Sequence, residues 1–192
     1  MIVGVSDPNG IDYAIRLLRA LAELRVESHL VVSKFAATKL ADEADGSGRN
    51  WRGLADVSYR DDEFGAPIAS ESFRTLGMIV VPCAMQTVGE IASCTASNLL
   101  ARAADACLKA RRRLVLVIRE TPLHLGHLRA MIAATESGAI MFPTVPSFRR
   151  DPRSLDDLSD HTISRVLDLF ELEPGSALRG DLAGVSLAPV QF

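Results

Sequence analysis

The sequence predicts a three-layer α/β fold, in which helices cover both faces of a parallel β-sheet. Short apolar runs alternate along the chain with longer amphipathic segments, which is typical of repeated strand–helix units. The runs 77–82 and 114–118 are apolar without a break, as expected of central parallel strands that are buried on both faces. With 192 residues, the chain is long enough for one domain with a full core.

In chain order, we expect strands at 2–5, 28–32, 57–59, 77–82, 114–118 and 139–141. The first helix is expected at 10–24, where apolar residues recur every three or four positions. A second helix near 35–44 precedes a polar, Gly-rich loop at 45–50 and a helical turn at 51–54. Thr87 is expected to cap the helix that follows the fourth strand.

Three longer helices complete the pattern. One is expected near 98–112, ending in the basic cluster 111–113, which favours the negative end of the helix dipole. The next starts with Pro122 in its first turn and ends before Gly138. Ser154 is expected to cap the last helix, 155–170. Residues 1–172 therefore form one predicted domain, and 173–192 form a C-terminal arm or tail without helical periodicity.

Composition excludes several classes of protein. The net charge of −3 offers no basic face for nucleic acid, and no apolar run reaches the roughly 18 residues that span a bilayer. The chain starts directly with a strand, without a basic segment before it, so no signal peptide is expected. Cys83, Cys94 and Cys107 lie in apolar surroundings and are predicted to be buried thiols in a reducing, cytoplasmic compartment.

Ligands of parallel α/β sheets bind outside the carboxyl ends of the strands. In this sequence those ends carry the segments 6–10 and 83–87, together with Ser33, Arg119 and Glu120. Hydroxyls, an amide and an Arg at one edge predict a site for a polar, phosphorylated ligand. An ordinary βα turn remains the alternative for 6–10, because Asp7 places a negative charge where an anion would bind.

Two other clusters are predicted to be structural. The acidic trio 61–63 is expected to be a solvated loop. His124 and His127 are three residues apart on a predicted helix and could share a face, but a metal site needs a third ligand that the local sequence does not provide. No metal is therefore expected.

The segment 114–131, Leu-Val-Leu-Val-Ile-Arg-Glu-Thr-Pro-Leu-His-Leu-Gly-His-Leu-Arg-Ala-Met, closely resembles the flavin prenyltransferases of the UbiX family. Further segments match the family in register, so that the resemblance covers about residues 1–170. They are 4–6, 33–34, 72–75, 77–78, 82–83, 87, 99–105, 143–146 and 154–157. The family belongs to the flavodoxin-like flavoproteins, which also include homo-oligomeric Cys decarboxylases. The resemblance therefore implies a flavodoxin/Rossmann-like version of the predicted fold.

The resemblance also implies a reaction. In the family, reduced FMN is prenylated at N5 and C6 by dimethylallyl monophosphate without a metal, and the prenylated FMN serves a partner decarboxylase. A homo-oligomer, a dodecamer built from trimers, is implied as well.

The implied site residues fall into three groups. FMN would be held by Asp7, Pro8, Asn9, Ser33, Ala84, Met85, Gln86, Thr87 and Arg119. The prenyl phosphate would be bound by Arg102, Lys109, Arg149 and Arg165. Catalytic groups near the flavin protons would be Asn9, Glu43 and Glu120.

The chain departs from the family pattern at this site. The usual turn Ser-Gly-Ala-Ser-Gly is Ser-Asp-Pro-Asn-Gly at 6–10, so Asn9 replaces a serine near flavin N5 and has no hydroxyl to relay a proton. The usual loop Ser-x-Lys-Thr is Ala-Met-Gln-Thr at 84–87, and Arg149 replaces a tyrosine. Three functions stay open: an active flavin prenyltransferase, an FMN-binding paralogue with another donor or decarboxylase-type chemistry, and a non-catalytic partner subunit.

Overall fold

Six parallel strands form one sheet in the computed structural model, which describes residues 1–42, 51–146 and 154–173. The strands are β1 (Ile2–Val5), β2 (His29–Val32), β3 (Val57–Arg60), β4 (Gly77–Cys83), β5 (Arg113–Ile118) and β6 (Ala139–Pro143). The helices are α1 (Ile11–Glu23), α2 (Lys34–Asp42), α3 (Met85–Ala92), α4 (Leu99–Lys109), α5 (Leu125–Glu136) and α6 (Leu155–Asp168). Short 3₁₀ turns lie at Trp51–Leu54 and Pro67–Ala69.

The strand order is β3-β2-β1-β4-β5-β6, so the chain builds one half of the sheet outward from β1 and then returns to start the other half at β4. The connections that follow β1 and β4 therefore leave the sheet toward opposite faces. In doubly wound folds this reversal opens a crevice at the carboxyl ends of the two strands. The predicted fold class is confirmed, and the sheet places the candidate site beside β1 and β4.

Alternate strand residues pack against opposite faces, as the period of a β-strand requires. Ile79 and Val81 of β4 join one buried cluster with α1 and α6, whereas Met78 and Val80 join the other with α3 and α4. All four side chains are fully buried. The uninterrupted apolar run in the sequence is thus explained by burial on both faces.

Two predicted helix boundaries are confirmed by local geometry. Ser154 caps α6 with a full capping box, in which Ser154 Oγ accepts from Asp157 N at 3.1 Å and the Asp157 carboxylate accepts from Ser154 N at 3.1 Å. Gly138, at φ 106°, follows the end of α5 in the left-handed conformation typical of a helix terminator.

Other predicted boundaries were wrong. Thr87 does not cap α3, because that helix already begins at Met85 and buries Thr87 inside its first turn. Pro122 lies outside α5, which begins at Leu125. The helix predicted at 98–112 ends at Lys109, since Arg111 takes a left-handed backbone at φ 54°. Of the cysteines, Cys94 is exposed, so the expectation of three buried thiols holds only for the other two.

No helix in the described ranges is long and apolar enough to cross a membrane. The predicted loop 45–50, part of the C-terminal end of the second predicted helix and nearly all of the predicted tail lie outside the described residues.

Gly77 should be intolerant of a side chain. Its φ is 143°, and a Cβ there would lie 2.3 Å from the Arg113 carbonyl oxygen and 2.9 Å from Phe170 Cε1. We expect Gly77→Ala to lower the free energy of unfolding by about 2–4 kcal/mol, from backbone strain and overpacking together. Denaturant titration measures the loss. Gly65→Ala is the matched control, because a Cβ at Gly65 has no heavy atom within 4 Å, and an equal loss in both variants would contradict the argument.

Candidate functional site

The carboxyl edge of the sheet brings together the segments that follow β1, β2, β4 and β5. Between β1 and β4 the floor of the crevice is closed by hydrogen bonds. Ser6 N donates to the Pro82 carbonyl at 3.1 Å, and Ala84 N donates to Ser6 Oγ at 2.9 Å. Ser6 is buried, at 3% exposed. Its hydroxyl therefore ties the turn after β1 to the loop after β4.

The turn after β1 is held by its own aspartate. Asp7 Oδ1 accepts both Asn9 N, at 2.9 Å, and Asn9 Nδ2, at 3.1 Å. The Asp7 carboxylate is thus partly neutralised by hydrogen bonds within the turn, as in an Asx turn. Both of these Asn9 N–H donors point back to Asp7, which leaves the side-chain oxygen and the second amide N–H of Asn9 available to a ligand. Pro8 is buried, whereas Asn9 is exposed.

Two helices begin at this crevice without a side-chain cap. Gly10, at φ 85°, precedes α1, and Ala84 precedes α3, and neither helix has a side-chain hydrogen bond at its start within the described residues. The first N–H groups of such helices lack intrahelical partners, and the dipole favours an anion. Two uncapped N-termini on either side of the switch point therefore suit a phosphate or another anionic group.

Ser33 has a structural role at this edge. Its Oγ accepts from Ala36 N at 3.2 Å and donates to the Ser6 carbonyl at 3.4 Å. Ser33 therefore caps α2 and contacts the turn after β1. Its hydroxyl already forms hydrogen bonds within the protein, so a ligand at this edge would contact a polar surface that is fixed in place.

The loop 84–87 presents mainly one side chain to solvent. Met85 and Thr87 are buried, at 7% and 8% exposed, whereas Gln86 is exposed. The preceding Cys83 is fully enclosed, and burial raises the pKa of its thiol to about 12. Burial likewise raises the pKa of Cys107 to about 11. Burial therefore keeps both thiols protonated at neutral pH, which makes them poor nucleophiles.

Charged candidates stand at both ends of the crevice. Arg119 and Glu120 follow β5 and are exposed, and no ion pair joins either to another described residue. Arg102 lies one turn into α4, with its guanidinium carbon 5.7 Å from the centre of the Phe64 ring. These groups are free to meet an anionic ligand at the carboxyl edge.

Lys109 and Arg165 do not reach this edge in their own chain. Lys109 ends α4 just before β5 begins, about 10 Å along the helix from Arg102, and its Nζ lies 2.7 Å from Asp105 Oδ2. Arg165 is exposed on α6. That helix ends beside Phe170, which packs near Gly77 at the start of β4. Both cations therefore face the amino-end half of the sheet.

Glu43 and Arg149 lie outside the described residues.

The histidine pair has a structural role. His124 Nδ1 accepts from Gly126 N at 3.0 Å and from His127 N at 3.4 Å, so His124 caps α5. The two rings lie 3.6 Å apart. In the described part of the chain, no three His, Cys, Asp or Glu side chains are grouped so that they could hold a metal ion.

Two residues near the site were missed from the sequence. The sequence pattern did not indicate Phe64, and it grouped Asp61 with its solvated neighbours, although Asp61 is half-buried and bonded to two helices. A signal for Asp61 existed, because it lies two residues beyond the predicted strand 57–59 and so stands at the carboxyl edge. Nothing in the sequence indicated that Phe64 contacts Arg102.

Comparison with known proteins places the chain among flavoproteins. The Flavoprotein family model matches residues 1–139. The chain is 47% identical over 173 residues to the flavin prenyltransferase UbiX of Thauera aromatica, covering 90% of this chain and 89% of that protein. The Escherichia coli K12 flavin prenyltransferase UbiX is also 47% identical, with 90% and 92% covered.

Solved structures agree. AnUbiX (PadA1), crystallised in complex with FMN and dimethylallyl pyrophosphate, superposes with a TM-score of 0.85 at 46% identity, covering 90% of this chain and 92% of that one. A dodecameric FMN-dependent UbiX-like decarboxylase from E. coli O157:H7 also has a TM-score of 0.85, at 44% identity, covering 91% and 95%. The peptidyl-cysteine decarboxylase EpiD shares the fold at 14% identity and a TM-score of 0.58.

Proposed function

The chain belongs to the UbiX family of flavin prenyltransferases, and we propose that it transfers a dimethylallyl group from dimethylallyl monophosphate to reduced FMN. The observation that carries this proposal is the crevice between β1 and β4. There, two uncapped helix N-termini lie at the same edge as the exposed cations Arg102 and Arg119. A site with these groups can hold two phosphorylated molecules at once.

The structure offers FMN a fitting set of groups. The N–H groups at the starts of α1 and α3 suit its phosphate, and Ser33, Gln86 and Arg119 line the same edge. Bound reduced FMN would supply the nucleophilic N5 and C6 positions. Ser6 keeps the crevice shaped by joining its two walls, because its hydroxyl bonds the start of the 84–87 loop.

The chain's cations would act on the leaving group. Breaking the carbon–oxygen bond of dimethylallyl monophosphate leaves a phosphate that carries the bonding electron pair. Arg102 can stabilise that developing charge, since guanidinium groups bind phosphate through paired hydrogen bonds. Arg119, besides contacting FMN, can add a second positive charge from the same edge. Of the two protons released from flavin N5 and C6, one would pass to the freed phosphate. The other would pass, through Glu120 or Glu43, to the dimethylallyl double bond, which is consumed when the second bond, to flavin C6, forms.

Lys109 and Arg165 would then complete the site of a neighbouring chain. Within one chain they face the amino-end half of the sheet, far from Arg119. Several large apolar side chains also remain exposed on α5, among them Leu125, Leu128 and Ile132, as expected of a surface that a second copy covers. We therefore propose a homo-oligomer with composite sites, and the dodecameric relative supports this assembly.

Two further roles follow from the proposed product. Prenylated FMN would serve a decarboxylase that uses it as a cofactor, so that enzyme is the proposed partner. The unpaired thiols of Cys83, Cys94 and Cys107 fit a reducing compartment, and the cytoplasm is the proposed location.

A second candidate function is an FMN-binding paralogue with another prenyl donor or decarboxylase-type chemistry. The observation that favours it is the turn 7–9. Asn9 replaces the family serine, and Asp7 holds its backbone N–H and one of the two N–H groups of its amide. The Asn9 amide is thus fixed in the turn and has no hydroxyl to relay a proton at flavin N5.

The adduct assay separates the two functions. Purified protein incubated anaerobically with reduced FMN and dimethylallyl monophosphate should yield prenylated FMN, detected by mass spectrometry. Arg119→Ala should lower kcat/KM for the prenyl phosphate roughly 10²-fold, because one charge-stabilising group is lost. Arg19→Ala, which removes an exposed arginine from α1, is the matched control and should be neutral. Binding of FMN without any adduct would instead support the paralogue.

Composite sites can be tested by mixing subunits. Arg119→Ala and Lys109→Ala should each be nearly inactive alone. Co-expressed as one oligomer, they should regain activity, because about a quarter of the sites would pair an intact Arg119 with an intact Lys109 from the neighbour. Two differently tagged copies of Arg119→Ala, co-expressed in the same way, control for the tags. Failure to recover activity in verified mixed oligomers would place both residues in one chain's site.

A further inference from the structure

We infer that Asp61 is a positioning residue that fixes Arg102 at the prenyl-phosphate end of the site by tying together the starts of α2 and α4. This inference rests on the proposed function of Arg102 and deepens it. Asp61 is the first residue after β3 and lies at the carboxyl edge of the sheet. Its contacts distinguish it from the rest of the acidic trio.

The contacts of Asp61 reach two helices. Asp61 Oδ2 accepts from Lys34 N at 3.0 Å, and Oδ1 accepts from Leu100 N at 3.3 Å. The Asp61 carbonyl also accepts from Leu99 N at 2.8 Å. One residue thus satisfies three N–H groups that the first turns of α2 and α4 leave without intrahelical partners. A carboxylate there also interacts favourably with both helix dipoles.

The same turn holds the side chain of Arg102. Phe64, three residues after Asp61, places its ring 5.7 Å from the Arg102 guanidinium carbon. Asp61 therefore holds the backbone one turn before Arg102, and Phe64 supports the guanidinium. The turn itself is tight, since Phe64 N donates to the Asp62 carbonyl at 3.0 Å and Ala66 N to the Glu63 carbonyl at 2.9 Å. Arg102 is thereby held at both its backbone and its charged end.

Asp61 differs from the two acidic residues beside it. Asp62 is exposed and pairs with Arg60 at 3.0 Å, and Glu63 lies 3.7 Å from the same guanidinium. In the described part of the chain, neither side chain bonds to the start of a helix. Burial raises the pKa of the Asp61 carboxyl, and the amides of Lys34 and Leu100 oppose that rise. The Asp61 carboxylate is thus partly buried and bonded to two backbone amides, so its role is structural and not that of an exposed loop charge.

The start of α4 has a second, independent anchor. Asn98 Oδ1 accepts from Ala101 N at 2.8 Å, and Asn98 Nδ2 donates to Glu90 Oε2 of α3 at 3.0 Å. Ser97 Oγ donates to Glu90 Oε1 at 3.1 Å. Because this anchor does not involve Asp61, removing the Asp61 carboxylate should leave α4 folded and move only its placement against α2. The two effects can therefore be separated by experiment.

The test compares Asp61→Ala, Asp61→Asn and the matched control Asp62→Ala, which removes the same charge one position away. Calorimetry on protein loaded with oxidised FMN measures the affinity for dimethylallyl monophosphate without turnover. We expect Asp61→Ala to bind dimethylallyl monophosphate about tenfold more weakly, because a displaced Arg102 guanidinium would no longer be aligned for hydrogen bonds to the phosphate. Asp61→Asn should be intermediate, since its side chain keeps one acceptor oxygen. Asp62→Ala and the affinity for FMN should be nearly unchanged.

Amide hydrogen exchange gives a readout that does not depend on the ligand. Asp61→Ala should lose protection at Lys34 and Leu100, whose amides bond to the carboxylate, and should keep it at Leu99, whose amide bonds to the backbone carbonyl. Asp62→Ala should lose protection at none of the three. Retained protection at Lys34 and Leu100 in Asp61→Ala would overturn the inference, and so would equal weakening of prenyl-phosphate binding in both variants. If the unaltered protein fails to bind dimethylallyl monophosphate, the proposed function fails, while exchange still decides whether Asp61 clamps the two helices.

Discussion

The pairing of β1 with β4 is the constraint on which the rest of the molecule depends. It joins segments more than 70 residues apart and aligns Val3 with Ile79 and Gly4 with Val80. Gly4 leaves room for side chains beside this pairing, because a Cβ there would lie 3.0 Å from Met78 Cε and 3.3 Å from Leu100 Cδ1. The pairing makes β1 and β4 the switch point of the sheet and so brings the turn at 6–10 beside the loop at 84–87.

In the site built on that pairing, one set of residues shapes the crevice and a different set is left to bind phosphate. The side chains of Ser6, Ser33 and Asp7 form hydrogen bonds within the protein, and these bonds hold the crevice in shape before a ligand binds. The uncapped helix starts and the exposed Arg102 and Arg119 remain for anions. Such preorganisation matters for phosphate transfer, since fixed cations need not reorganise when negative charge develops.

The sequence predicted the fold well, because burial on both faces leaves a direct mark in the apolar runs of β4 and β5. The strand-end rule also predicted the edge where the site lies. Helix starts were less predictable: a threonine was expected to cap α3, yet Ala84 precedes it and the helix has no side-chain cap. The role of Asp61 was missed because its partners, Lys34 and Leu100, are 27 and 39 residues away. Family resemblance named Lys109 and Arg165, but only the topology shows that one chain does not bring them to the carboxyl edge.

The central claim is that FMN and a prenyl phosphate meet at the carboxyl ends of β1 and β4. A crystal structure of the protein with FMN and dimethylallyl monophosphate tests this claim most directly. The account predicts the FMN phosphate at the helix starts beside 7–10 and 84–87. It also predicts the prenyl phosphate on Arg102 and Arg119 of one chain with Lys109 of a neighbour. Ordered FMN at the amino edge of the sheet, or an empty crevice in crystals that hold FMN elsewhere, would contradict it.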